Sequence, residues 1–136
     1  MFKKLSLVDL TAAVIQLLKK NTDIKTFDFV PENEPSPFAY VEAAGKENCD
    51  TKTMFCDLYK VNIHVISEQI NGNTSIYKLI NQIEEALTED IILPEGFTLV
   101  YQLSQGIESI YEETTKEKHA VMPVNFKVAY DCALLN

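Results

Sequence analysis

The side chains in this sequence that could do chemistry are few. They are three cysteines (Cys49, Cys56 and Cys132), two histidines (His64 and His119) and two adjacent carboxylate pairs, Glu84-Glu85 and Glu112-Glu113. Cys49 with His64 would make a thiol nucleophile and its base, a pairing that needs a third group to orient the imidazole. Nothing in the spacing supplies that group or brings the two together. Cys49 lies in a polar stretch and reads as an ordinary free thiol. His64 alternates with Lys60 and Asn62 and reads as a surface histidine. Adjacent residues on a helix do not face each other, so the glutamate pairs read as solvated faces rather than an acid/base dyad.

The remaining site types fail in the same way. Zinc would need a Cys3His or Cys2His2 set gathered from distant segments, and no C-x-x-C pair is present. An odd number of cysteines argues against a disulfide framework and for reduced thiols in a cytosolic protein. The sequence has no P-loop, no G-x-G-x-x-G and no serine elbow. Its four glycines leave little from which to build a phosphate cradle. The expectation is a protein with no catalytic residues, no cofactor and no metal, one that presents surfaces.

The elements that would carry those surfaces are well marked. Ser6 to Lys20 reads as a helix, with Ser6 and Asp9 spaced like a capping box. Leu7, Leu10, Val14, Leu17 and Leu18 form its stripe, widened by Val8 and Ile15, and Lys19 and Lys20 suit the last turn. Lys25 to Val30 reads as a short strand with Phe27 and Phe29 on one face. Pro31 to Pro37 is a loop, because its three prolines cannot continue a ladder. Phe38 to Ala44 is the next strand, with Phe38, Tyr40 and Glu42 on one side and Ala39, Val41 and Ala43 on the other. The polar stretch Gly45 to Thr53 reads as a hairpin loop. Met54 to Ser67 reads as the longest strand: Tyr59, Val61, Ile63 and Val65 define one face, and Leu58, Lys60, Asn62 and His64 define the other, mainly polar one, the pattern of a half-solvated antiparallel strand.

After Asn71-Gly72-Asn73, Thr74 to Thr88 reads as a second helix with Ile76, Leu79, Ile80, Ile83 and Leu87 inward. Glu84, Glu85 and Glu89 fall on its solvated side. Pro94-Glu95-Gly96 is a turn, and Phe97, Leu99, Tyr101 and Leu103 share one strand face. Ile107 to Lys118 is charged and ambiguous. Ala120 to Cys132 closes the chain as a strand with Met122, Val124, Phe126, Val128 and Tyr130 inward. This order gives an α+β fold: a mostly antiparallel sheet of about four to five strands, with two main helices packed on one face.

Length and charge narrow the function classes. The chain has 136 residues, the size of one domain (1–136), and a chain this long hides roughly 65–70% of its unfolded surface without needing disulfides or metal. No apolar run approaches the roughly 18 residues that span a membrane. The amino-terminal stretch has two lysines and then apolar residues. Asp9, Thr11 and Gln16 interrupt it and no small-residue cleavage site follows, so it reads as an amphipathic helix and not a signal peptide. Net charge is −8, and all twelve basic residues are lysine. Without arginine, bidentate phosphate and guanine contacts are lost, so no specific nucleic-acid binding is expected.

The segment order carries a resemblance. The amino-terminal helix, Phe27-Asp28-Phe29-Val30-Pro31, Pro37-Phe38-Ala39-Tyr40-Val41, and the strand Val61-Asn62-Ile63-His64-Val65-Ile66-Ser67 before Gly72 and a helix resemble the tail-completion or tail-terminator proteins of long-tailed phages and prophages. That family's usual pattern has V-P, five residues, then P-Y-V, and later I-H-V-W-S before a glycine and a helix. Here Phe38 and Ala39 separate Pro37 from Tyr40, and Ile66 stands where tryptophan is common.

The resemblance implies a structural building block. Such proteins form a ring, typically a hexamer, on the last ring of tail-tube subunits; the ring ends tube growth and offers the head connector a docking surface. It would assemble in the bacterial host cytoplasm and end in the virion tail. Six copies at −8 each would carry about −48, and an acidic lumen would repel DNA. The expected partner-facing residues are Lys46, Glu47, Asp50, Lys52, Tyr59, His64, Glu108, Tyr111, Glu112 and Glu113, from two charged loops, 45–53 and 104–118, and the outward face of the 54–67 strand. The rival reading is a small bacterial cytosolic ligand-binding or regulatory domain whose sheet cups an apolar ligand beneath Phe38, Tyr40, Tyr101 and Phe126.

Overall fold

The computed structural model describes residues 1–130. Cys132 and the end of the expected closing strand lie outside the described residues. Helix α1 (Leu7–Asn21) starts where the Ser6 hydroxyl accepts a hydrogen bond from the Asp9 amide at 3.0 Å. Leu5 and Leu10 occupy the two positions that a hydrophobic staple couples, and both are fully buried. Leu10, Val14, Leu17 and Leu18 are buried as expected, but Leu7 and Val8 are exposed. The helix turns Ala13 and Thr11 inward instead, so the apolar face sits one step round from the expected stripe. Helix α2 (Thr74–Ala86) buries Ile76, Leu79, Ile80 and Ile83, with Leu87 just beyond it. Among the described residues no helix is long and apolar enough to cross a membrane.

The strands are β1 (Thr26–Phe27), β2 (Phe38–Asn48), β3 (Cys56–Ile66), β4 (Phe97–Ser104), β5 (Ser109–Glu112) and β6 (Lys118–Tyr130). They form one six-stranded sheet in the order β1-β2-β3-β6-β4, with β5 beside β4 along the same edge of β6. The sheet is mixed: β1 runs parallel to β2 and every other pair is antiparallel. Both helices share one core with the inward sheet face. The α+β class and the helix pair agree with the sequence reading, while the strand number rises to six. The longest strand is β6 and not β3.

Four local differences have physical causes. The first strand stops at Phe27, because the chain bends before the proline loop; Phe29 is left exposed. The segment expected as a loop, 45–53, instead extends β2 through Asn48, by way of an irregularity in register between Ala43 and Gly45. One extra residue reverses which side chains point inward, so Lys46 faces Tyr59 and Glu47 faces outward beside Leu58. A second irregularity between Leu99 and Tyr101 does the same to β4. Leu103 is therefore half-exposed, and Gln102 turns inward opposite Phe126. The ambiguous 107–118 segment contains β5, a hairpin partner of β6.

Pro123 lies in β6, in the middle of the sheet, where a missing N–H ought to break a ladder. It falls where β4 hands over to β5. Its carbonyl accepts from the Gln105 amide at 2.8 Å, and Val121 accepts from Glu108 on the same edge. The edge that lacks the proline N–H is thus the one with no continuous partner strand.

Candidate functional site

The sheet places the charged candidates at two opposite poles. The β2–β3 hairpin tip carries Asp50 and Lys52, with Lys46 and Glu47 on the arm leading to it. Residues of β3 run from there to His64 at the far pole, where β5 and the start of β6 bring Tyr111, Glu112 and Glu113. At about 3.3 Å per residue, the eleven-residue β3 separates the poles by roughly 33 Å.

At the first pole the organising group is Asp57, which is 2% exposed. Its carboxylate accepts from the Tyr130 hydroxyl at 2.6 Å and from Lys4 Nζ at 3.3 Å, and Lys46 Nζ stands at 3.6 Å. Burial alone would raise this carboxyl. The Tyr130 hydroxyl and the two ammonium groups outweigh burial and hold it below the ordinary carboxylate range. Burial, then Asp57 and Tyr59, push the Tyr130 hydroxyl far up. Tyr59 is fully buried, its hydroxyl donating to Leu5 O at 2.7 Å and standing 2.6 Å from the Tyr130 hydroxyl. Its expected place in a partner surface is therefore corrected: Tyr59 belongs to the core. Lys46 lies over the Tyr59 ring, 5.0 Å from its centroid. Glu47 pairs with Lys60, and Asp50 Oδ1 accepts from the Cys56 amide at 2.9 Å, which shapes the loop. Lys52 is exposed.

At the second pole both histidines of the chain meet. His64 Nδ1 lies 2.8 Å from His119 Nε2, and the outer nitrogens reach Glu42 at 3.0 Å and Glu113 at 2.6 Å. The Tyr111 hydroxyl stands 2.9 Å from His119 Nδ1. Tyr40 stacks on His64, with ring centroids 4.3 Å apart and planes within 5°. The two outer nitrogens thus face carboxylates, and the two inner nitrogens face each other. His64 is thus not a free surface histidine. The sequence reading missed His119 as its partner; the signal was that His64 and His119 lie on strands with outward faces in register, His64 opposite Val121 and Ile66 opposite His119.

This cluster is a clasp. All four ring nitrogens have protein partners. It joins β2, β3 and the β5–β6 hairpin. Burial, then Glu113, raises the Tyr111 hydroxyl. Glu112 pairs with Lys118 at 3.1 Å, and that hydrogen bond lowers its carboxyl. Glu108 is exposed on the approach to β5. Cys49 packs against Cys56 at the other end of β3 from His64, so the thiol and the imidazole are not brought together. Burial and the Cys56 hydrogen bond push the Cys49 thiol up to about 12, leaving it a neutral thiol near pH 7. Among the described residues no group of histidine, cysteine and carboxylate side chains is arranged to hold a metal ion.

The four residues of the rival ligand cup do not share a face. Phe126 is fully buried on the helix side, while Tyr101, opposite Lys127, and Tyr40, opposite His64, lie on the outer side.

The family described as "Putative tail termination protein" matches residues 1–134. The chain belongs to the phage tail terminator family. It is a structural phage-tail protein, as the resemblance in the helix, the 27–41 segment and the 61–67 strand implied. A search of the curated proteins finds no match. Among solved structures, a chain from the "Virion of native gene transfer agent (GTA) particle" shares the fold with a TM-score of 0.68 and 21% identity, over 90% of this chain and 96% of that one.

Proposed function

We propose that this tail terminator caps the tail tube as a ring, a closed cycle of copies, with six the number that its family implies. The observation that supports it is the disposition of four distinct borders around one sheet. Two are charged poles roughly 33 Å apart, set by the eleven residues of β3. Two are sheet edges: β1 covers only Ala39 and Tyr40 of β2, and β4 and β5 form the other margin. The β4–β5 margin exposes Val100, Leu103, Ile107 and Ile110. Unlike edges on one subunit make heterologous contacts, which close into a ring when the rotation allows. The poles then point along the axis, one toward the tail-tube protein and one toward the head–tail connector.

In this reading the whole chain acts as one domain, assembles in the host cytoplasm and works without cofactor, membrane or specific nucleic-acid contact. Asp50, Lys52, Glu47 and Lys46 serve one pole; Glu108, Tyr111, Glu112 and Glu113 serve the other. A ring of acidic subunits repels the phosphates of passing DNA, and a lysine-lined channel would contradict that part. The test is to reverse charge at one pole. Lys52→Glu with Glu47→Lys should weaken binding to tail tubes or to connector, but not both, with circular dichroism unchanged. Equal binding of both partners by this variant and by its counterpart at Glu108 and Glu112 would refute the assignment of the poles.

A further inference from the structure

We propose that Cys49 and Cys56 are a redox modification site: a thiol pair that closes into a reversible intrachain disulfide across the β2–β3 hairpin. The two stand one step beyond the pair Asn48 and Asp57, so they are directly opposed. The Cys49 amide donates to Cys56 O at 3.0 Å, and the two Sγ atoms are 2.7 Å apart. Directly opposed residues of antiparallel strands have Cα atoms about 4.5–5.5 Å apart. That lies inside the roughly 4.4–6.8 Å that a disulfide spans. The sulfurs already face each other.

The oxidant is a low-molecular-weight disulfide such as glutathione disulfide. Cys49 is the half-exposed thiol and Cys56 the buried one, so Cys49 is the point of attack. Its thiolate displaces one glutathione thiol from the small disulfide and forms a mixed disulfide. The Cys56 thiolate then attacks Cys49 Sγ and releases the second glutathione thiol. One S–S bond forms and one breaks, two electrons pass to the small disulfide, and the two thiol protons end on the released glutathiones. Because burial keeps the Cys49 thiol protonated to about 12, the step is slow near neutral pH and quickens about tenfold per pH unit over the range below that value. The dithiol persists in a reducing cytosol, and the bond forms in the oxidising surroundings that virion surfaces meet. It then fixes the loop bearing Asp50 and Lys52; that consequence, though not the bond itself, rests on the proposed docking role.

The test uses the full chain with Cys132→Ser, without any tail partner, incubated with glutathione disulfide at pH 9. The expected product is a monomer lighter by two hydrogens, with no alkylatable thiol, restored by dithiothreitol. Adding Cys56→Ser should stop the reaction at one glutathione on Cys49. Retention of two alkylatable thiols, a stable glutathione adduct on the parent, or cross-linking between chains would overturn the proposal. None of these outcomes depends on whether the protein caps tubes.

Discussion

At the scale of single residues, Asp57 is the least replaceable polar group. It is a nearly buried carboxylate tied to Tyr130, Lys4 and Lys46. Removing one member of such a network leaves the others desolvated and unmatched. Asp57→Ala should lower stability by about 3 kcal/mol, read as a drop in denaturant midpoint with unchanged slope. Glu47→Ala, at an exposed ion pair, should change it by less than about 1 kcal/mol. The pH dependence has a definite sign. The folded carboxyl sits below its ordinary value of 3.8, so the contribution is complete above that value. It is lost as pH falls through the lower folded value, and an acid titration of the Asp57→Ala variant should lack that part of the loss. Asp57 was legible in part: it has the same parity as Tyr59, Val61 and Ile63, which marks it as inward-facing. What was not legible is why a carboxylate is tolerated there. The answer lies in Tyr130 and Lys4, 73 and 53 residues away in sequence.

Elements were readable wherever a single periodicity ran unbroken. The stripe of helix α2 and the apolar inward residues expected in β3 and β6 are buried as read, with ends shifted by a residue or two, because burial on one side forces the pattern. The reading failed at Val100 and Ala44, where one extra residue reverses the alternation and no residue type announces it. Gln102 shows what the shift achieves: its side chain accepts from the Ile91 amide at 2.9 Å and donates to Leu87 O and Glu89 O at 3.1 and 2.9 Å, fastening the end of α2 to the sheet. Gln102→Ala should therefore destabilise by about 2 kcal/mol, since it leaves part-buried backbone groups of Leu87 and Ile91 unmatched. Leu103→Ala, half-exposed, should cost less than about 1 kcal/mol. Thermal unfolding of the two variants checks the order, and the reverse order would mean the original alternation holds in β4. At the other end, His119→Ala should release the β5–β6 hairpin. Faster amide exchange confined to 109–117 is the expected result, with β3 unchanged.

The molecule is a mixed sheet whose helices cover one face and whose candidate partner-facing residues lie at two poles. The fold class, both helices and the phage-tail family followed from sequence patterns and from the tail-terminator resemblance. The two-pole arrangement did not, because it depends on strand order. Only with β6 between β3 and β4 do Tyr111, Glu112 and Glu113 reach the His64 end while Asp50 and Lys52 stay at the other. A subunit with two unlike edges and two unlike ends is suited to closing a ring and stacking on a tube.

Whether this protein caps a tube is tested most directly by tube length, read by electron microscopy when its tail-tube protein polymerises with and without this chain. The expected result is that growth stops at a shorter, uniform length, with a ring of extra density at one end. Tubes that lengthen at the same rate and carry no terminal density would contradict the account.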